Sequence, residues 1–112
     1  MPCPFCEIVA KRAPAAIIYQ DEQVTAFRDL RPRAPTHLLI IPNQHIESLA
    51  ELDDVSAPLA GHLLKVASEL AAQLGLSSGY RVVTNVGPDA GQSVYHLHFH
   101  LLAGRKMSWP PG

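Results

Sequence analysis

The sequence predicts an α+β domain, an antiparallel sheet of about five strands with helices against one face, one long and one short. Three observations predict it. A single segment, Leu59 to Leu74, repeats apolar residues at helical steps, whereas several short β-type runs are joined by loops too short for parallel crossovers. A chain of 112 residues, 47% of them hydrophobic, supplies one core and leaves no room for a second folding unit, so residues 1–112 read as one domain.

Taken in order, Pro4 stands where a first helical turn tolerates proline. Phe5, Ile8 and Val9 follow at helical spacing, so a short helix is expected to about Arg12, before Pro14. Ala16 to Gln20 and Gln23 to Arg28 read as a hairpin around Asp21-Glu22. Asp29 to Pro35, with two prolines and three charges, reads as an exposed loop before a strand at His37 to Pro42. In the long helix Leu59, Leu63, Val66, Ala67, Leu70 and Leu74 form one stripe, and Gly75 is its stop signal. Asp53, Asp54 and Ser56 are three candidate caps between which the sequence does not choose. Tyr80 to Asn85 and His96 to Ala103 complete the sheet, joined by a glycine-containing stretch from Val86 to Ser93.

A formal net charge of −1 gives no global basic field for nucleic acid or an anionic membrane, so a small anionic ligand must be held locally. No apolar run reaches the ~18 to 20 residues of a membrane span. The start, Met-Pro-Cys-Pro-Phe-Cys-Glu, is unlike a secretory signal, and a cytoplasmic protein is expected. Two cysteines, Cys3 and Cys6, are too few and too close for a disulfide scaffold, and in a reducing compartment a metal role fits better.

Six histidines would mean little if scattered, but His96, His98 and His100 occupy alternate positions of one predicted strand. They share a face, with Leu97, Phe99 and Leu101 on the other. A solvated polar face needs only some polar residue at each position, and histidine three times running is an improbable way to meet that need. A single ion shared by all three is geometrically poor, because the backbones of His96 and His100 stand ~13 Å apart at ~3.3 Å per residue. Neighbouring imidazoles oppose each other's protonation and so keep the central ring neutral, which makes His98 the natural nucleophile.

His96-Leu97-His98-Phe99-His100-Leu101-Leu102 resembles the signature of the histidine triad family of nucleotide hydrolases and transferases. Gly91-Gln92-Ser93-Val94-Tyr95, Arg28-Asp29 with Ala34-Pro35-Thr36-His37, and Trp109-Pro110-Pro111-Gly112 are similar to its Hint branch, so the likeness runs from about Phe5 to Gly112. It implies the fold of that family and a purine nucleoside phosphoramidase, with a purine nucleoside monophosphate or its phosphoramidate as ligand. His98 attacks phosphorus to give a nucleotidyl-histidine, and no catalytic cofactor is required. His100 and the backbone N–H groups of Gly91, Gln92 and Ser93 are the implied phosphate donors.

The resemblance also implies that Ser93 protonates the leaving group and that His37 supports the triad, although His37 alone also reads as a buried histidine satisfied by backbone. Asp29 is matched to the ribose hydroxyls, where its other reading is a loop-capping aspartate. Leu30 and Phe27 offer apolar walls for the base, Phe27 reading equally well as core, and Asn85 is matched to a phosphate or ribose contact. A homodimer is implied, with the Trp109 segment reaching toward the partner's site; a loose tail is the plainer alternative.

Cys3-Pro-Phe-Cys6 departs from the Hint pattern and is similar to family members with a structural zinc, whose remaining ligands would be His45 and His96. Two reduced cysteines near a terminus are the alternative. Rival functions are a dinucleoside polyphosphate hydrolase, whose distinguishing features this chain lacks, and a nucleotide-binding regulatory module with incidental turnover. His62, beside the apolar stripe of the long helix, receives no function.

Overall fold

Every position from Val24 to Phe27 and from His37 to Pro42 is buried, so the sheet needs cover on both faces. The computed structural model describes residues 3–112. In chain order the elements are α1 (Pro4–Val9), β1 (Ile17–Gln20), β2 (Val24–Arg28), β3 (Thr36–Pro42), α2 (Ala57–Gln73), β4 (Arg81–Val83) and β5 (Phe99–Ala103). Short 3₁₀ turns occupy Leu49–Glu51 and Pro88–Ala90. The five strands form one sheet in the order β1-β2-β3-β5-β4, antiparallel throughout. Among the described residues no helix is long and apolar enough to cross a membrane.

The two helices lie on opposite faces, which corrects the expectation that both cover one. Leu63, Val66, Ala67 and Leu70 of α2 pack with Val24, Ala26, Leu38, Ile40, Phe99 and Leu101. Phe5 of α1, with Ile8 and Val9, packs with Phe27, Leu39 and Ile41, the alternate residues of the same strands. The unbroken apolar run in β3 is the sequence mark of a strand buried on both sides.

Local chemistry sets the ends of these elements. Pro4 opens α1 and the Cys3 sulfur accepts the Cys6 N–H as a cap. The helix stops at Val9 rather than near Arg12, because Lys11 turns to φ 60° and the N–H groups of Arg12 and Ala13 both return to the Glu7 carbonyl. Ser56 stands at the N-cap of α2 without a side-chain cap bond, and Asp53 holds the turn before it, its Oδ1 accepting the N–H groups of Val55 and Ser56 at 3.0 and 2.8 Å. Gly75, at φ +71°, follows the last turn.

Asp21 organises the β1–β2 turn. Its Oδ1 accepts the N–H groups of Gln23 and Val24, and its Oδ2 accepts the Tyr19 hydroxyl and the His62 ring, each at 2.7 Å. Burial alone would raise its pKa, but these donors outweigh that and hold the carboxyl well below the usual range. His62 therefore ties α2 to the hairpin.

The sheet is shorter than its apolar pattern at two places. β4 spans only Arg81–Val83, and the β5 ladder begins at Phe99, leaving His96 to His98 as an irregular approach. That approach is held by the Leu97 N–H on the Ile46 carbonyl at 2.6 Å and by the Thr84 hydroxyl on the His98 carbonyl at 2.8 Å.

Beyond β5, Gly104 has φ +95°, and a Cβ there would stand 2.8 Å from Cβ of Pro35. This contact seats the loop that carries Asp29 against the end of β5. Replacing Gly104 by Ala is expected to lower stability by about 1–3 kcal/mol in thermal or urea unfolding. Gly61→Ala, on α2 with nothing within 4 Å of the new methyl, should raise it by roughly 0.5–1 kcal/mol.

Candidate active site and metal centre

Burial of Leu97, Phe99 and Leu101 against α2 turns His96, His98 and His100 to the face that α1 covers. The rings of His98 and His100 lie 5.0 Å apart. His98 is 6% exposed, and its Nδ1 sits 2.7 Å from the His96 carbonyl oxygen. A carbonyl only accepts, so Nδ1 carries the hydrogen and Nε2 keeps its lone pair.

Cross-strand register places His37 opposite Leu102 and His100 opposite Leu39, which makes the two histidines diagonal neighbours on one face. The Arg33 N–H donates to His37 Nδ1 at 3.0 Å, so the ring hydrogen of His37 is on Nε2. That nitrogen lies 2.9 Å from His100 Nδ1 and donates to it, which puts the hydrogen of His100 on Nε2. His100 therefore offers a donor beside the lone pair of His98.

Asp29 Oδ2 stands 3.4 Å from the same His37 nitrogen. Burial lowers the pKa of His37, with Asp29 opposing and Arg33 assisting. Burial, then His98 and His37, bring His100 down to about 4 against the pull of Asp29. Both rings are neutral at neutral pH. Ligand-type atoms of Asp29, His37 and His100 all lie within 4.8 Å of one another. The Arg33 N–H nonetheless keeps the His37 hydrogen on Nε2, where it bonds His100, so His37 and His100 form a hydrogen-bonded pair with Asp29 beside it, and not a metal site.

A cavity of about 300 Å³ opens at these rings. Its walls are Phe5 and Ile8 from α1, Phe27, Arg28, Asp29, Leu30, Arg31 and Leu39 from the β2–β3 region, and Ser93 and Val94 beside His98 and His100. Leu30 is 86% exposed at the rim. Phe27, 3% exposed, is core and wall at once.

The structure thus brings His98, His100, Ser93, Asp29, Leu30 and Phe27 to one cavity, with His37 behind His100. Asn85 is half-buried after β4 and stands outside this wall. The N–H groups of Gly91 and Gln92 are already engaged by the carbonyls of Pro88 and Gly87. The Gln92 side chain accepts from Gly87 N–H and donates to the carbonyls of Glu47 and Val94, so it holds the loop together. Sequence reasoning missed Phe5, Ile8, Leu39 and Val94; Leu39 was legible as the period-two neighbour of His37. A larger cavity, about 590 Å³ and lined by Glu47, Glu51 and Asp53, contains none of the paired histidines.

His96 lies on the same face but meets the cysteines at the start of α1 rather than the cavity. Its Nε2 is 2.8 Å from the Pro42 carbonyl oxygen and carries the hydrogen, leaving Nδ1 aimed at Cys3 Sγ at 3.2 Å and Cys6 Sγ at 3.5 Å. His45 Nδ1 is 3.4 Å from Cys6 Sγ. Ligands at ~2.3 and ~2.0 Å from a tetrahedral ion stand ~3.5 Å apart, so these separations are the edges of such a tetrahedron. Burial, then the neighbouring Cys3 sulfur, push the Cys6 thiol up to about 11, and a divalent cation is what permits both sulfurs to ionise. The Pro42 carbonyl fixes the ligating tautomer of His96. By ligand type, number and spacing, Cys3, Cys6, His45 and His96 can hold zinc.

Comparison with known proteins agrees with this geometry. The family model described as HIT domain matches residues 10–107. A 14 kDa zinc-binding protein of Zea mays is 50% identical over 113 residues, covering 99% of this chain and 88% of the maize protein. The crystal structure of a HIT family hydrolase from Legionella pneumophila superposes with TM-score 0.97 at 49% identity, covering 99% of this chain and all of that one. A histidine triad nucleotide-binding protein from Candida albicans gives TM-score 0.83 at 31% identity, covering 97% of this chain and 83% of that one.

Two outcomes are expected. Elemental analysis of freshly purified protein should read about one zinc per chain. Cys6→Ser should lower that content and the unfolding temperature together. For protons, the folded pKa of His100, about 4, lies below its ordinary 6.5. Its contribution to stability is therefore complete above pH 6.5 and is lost as pH falls toward 4, where the unfolded chain binds the proton first. His100→Gln should flatten that part of the stability curve measured by denaturant unfolding.

Proposed function

The chain belongs to the HIT domain family, and on that premise we propose that it is a nucleotide hydrolase, a purine nucleoside phosphoramidase acting through a nucleotidyl-histidine on His98. The observation that carries this reading is the free Nε2 lone pair of His98, fixed by the His96 carbonyl and facing a cavity beside the Nε2–H of His100.

In this reading the base of a purine nucleoside monophosphate lies among Phe5, Ile8, Phe27 and Leu30, and its ribose hydroxyls donate to Asp29. His98 Nε2 attacks the α-phosphorus, forming an N–P bond as the bond to the leaving amine breaks. The Ser93 hydroxyl supplies the proton that lets the amine depart neutral. His100, backed by His37, donates to a non-bridging oxygen while charge builds there. Water then attacks phosphorus and gives a proton back to Ser93, the N–P bond breaks, and the nucleoside monophosphate leaves with His98 and Ser93 restored. Gly91 and Gln92, whose backbone N–H groups are already bonded, act by shaping the loop beside the phosphate, and Asn85 stands outside the cavity wall.

Bound at Cys3, Cys6, His45 and His96, zinc would supply structural cross-linking of α1 to the sheet and no chemistry at phosphorus. Trp109, 85% exposed on the C-terminal segment, supports a homodimer in which that segment reaches the partner's site. Nucleic acid and membranes are outside this reading, which places the protein in the cytoplasm.

Hydrolysis of an adenosine phosphoramidate, compared with a diadenosine polyphosphate, tests the proposal. The phosphoramidate should be the better substrate, and His98→Ala should reduce its turnover by at least about a thousandfold while nucleotide binding survives. Unchanged turnover in that variant would overthrow the nucleophile assignment.

A further inference from the structure

Phe5 stands between the two cysteines in sequence. Its ring lies edge-on to His98 at 5.2 Å and to Phe27 at 5.4 Å, and it forms part of the wall of the nucleotide cavity. On either side of it, Cys3 Sγ reaches His96 Nδ1 at 3.2 Å and Cys6 Sγ reaches His45 Nδ1 at 3.4 Å. α1 is six residues long, too short to hold itself in water, so the seat of that wall depends on whether both sulfurs keep their ring partners.

Each sulfur has another partner within reach, which is its fellow. The ligand atoms of Cys3, Cys6, His45 and His96 all lie within 4.8 Å of one another, and the Cys6 N–H donates to Cys3 Sγ at 3.2 Å, which keeps that sulfur beside Cys6. Two residues between cysteines is a spacing at which a reversible disulfide closes. The pair is also open to small reagents. Both cysteines are half-buried, His45 is exposed, and a cavity of about 500 Å³ has Cys3 and His45 in its wall. That cavity shares Pro4, Ser93 and Val94 with the nucleotide cavity.

We propose that Cys3 and Cys6 are a site of reversible oxidation, at which a disulfide releases zinc, unties α1 from the sheet and weakens nucleotide binding. The effect on binding rests on the nucleotide reading above; the chemistry rests on the cysteines alone. The oxidant is a peroxide. Cys3, which lines the open cavity, takes OH from it to become a sulfenic acid, and hydroxide leaves. Cys6 attacks that sulfur, the S–S bond forms, and a second hydroxide leaves. Two thiolates have lost two electrons, and one peroxide has gained them. Disulfide sulfurs carry no charge to hold a divalent cation, so the ion departs and His45 and His96 lose their tie to α1.

Treatment of the zinc-loaded full chain with a few equivalents of hydrogen peroxide reads chemistry and effect separately. Intact mass should fall by two hydrogens, and a chromogenic chelator should collect one zinc per disulfide formed. Dithiothreitol and zinc should restore the starting protein. Adenosine monophosphate should bind about tenfold more weakly to the oxidised chain, with a matching rise in phosphoramidate KM and kcat kept within about twofold, because His98 and His100 lie on another element. Cys3→Ser should gain oxygen instead of losing hydrogens, and its nucleotide affinity should not fall further with peroxide.

Oxidation that runs to sulfinic or sulfonic acid without a disulfide overturns the inference. So does a disulfide that keeps its zinc, or one that leaves nucleotide affinity unchanged. If the reduced chain binds no adenosine monophosphate, the nucleotide reading fails instead. Amide hydrogen exchange across α1 then decides the inference: faster exchange from Cys6 to Ala10 after oxidation supports it, and unchanged exchange overturns it.

Discussion

Neighbouring residues of an extended chain must point to opposite sides, and on that constraint the site depends. Leu97, Phe99 and Leu101 are drawn into the core beneath α2 by the hydrophobic effect, and their burial throws His96, His98 and His100 together on the other face. No interaction among the histidines has to assemble them. The driving force lies across the sheet, in apolar surface removed from water at roughly 25 cal/mol per Å², and the imidazoles are carried along by geometry. Polar rings in so buried a place then need partners, and each finds one: a carbonyl for His96, a carbonyl for His98, a second ring for His100.

The short helix α1 joins the two centres that the triad divides between. Cys3 and Cys6 face His96 and His45, while Phe5, between the cysteines, sets its ring edge-on to His98 at 5.2 Å and to Phe27 at 5.4 Å. Six residues alone would not hold a helix in water. Held by the contacts of Cys3 and Cys6 with His96 and seated on Phe27, Leu39 and Ile41, they become a wall of the cavity.

Most of the architecture was legible because its signals are local. The stripe of α2, the alternation in β5 and the turn residues around each strand all act within a few positions. The face that α1 covers was not legible, since a six-residue helix has too little periodicity to reveal its partner. The unbroken apolar run of β3 did carry that message. Among site residues, the histidines announced themselves by spacing, whereas Phe5 and Val94 are ordinary apolar residues until tertiary contact makes them walls. The phosphate donors expected of Gly91 and Gln92 depend on backbone N–H groups, and no side-chain pattern tells which of those a turn has already bonded. Asp21 and His62, far apart in sequence, showed nothing of their bond.

In all three of the rings His37, His96 and His98 the hydrogen is placed by a main-chain atom: the Arg33 N–H, the Pro42 carbonyl and the His96 carbonyl. Side chains can drift without touching that arrangement. At position 33 only proline would remove the N–H, and no substitution at 42 or 96 deletes a carbonyl. The protonation pattern on which the proposed nucleophile, the His37–His100 hydrogen bond and the candidate metal ligand all rely is thus inherited from the path of the backbone, and an evolving sequence can change surface and charge around it while the fold keeps the protons in place.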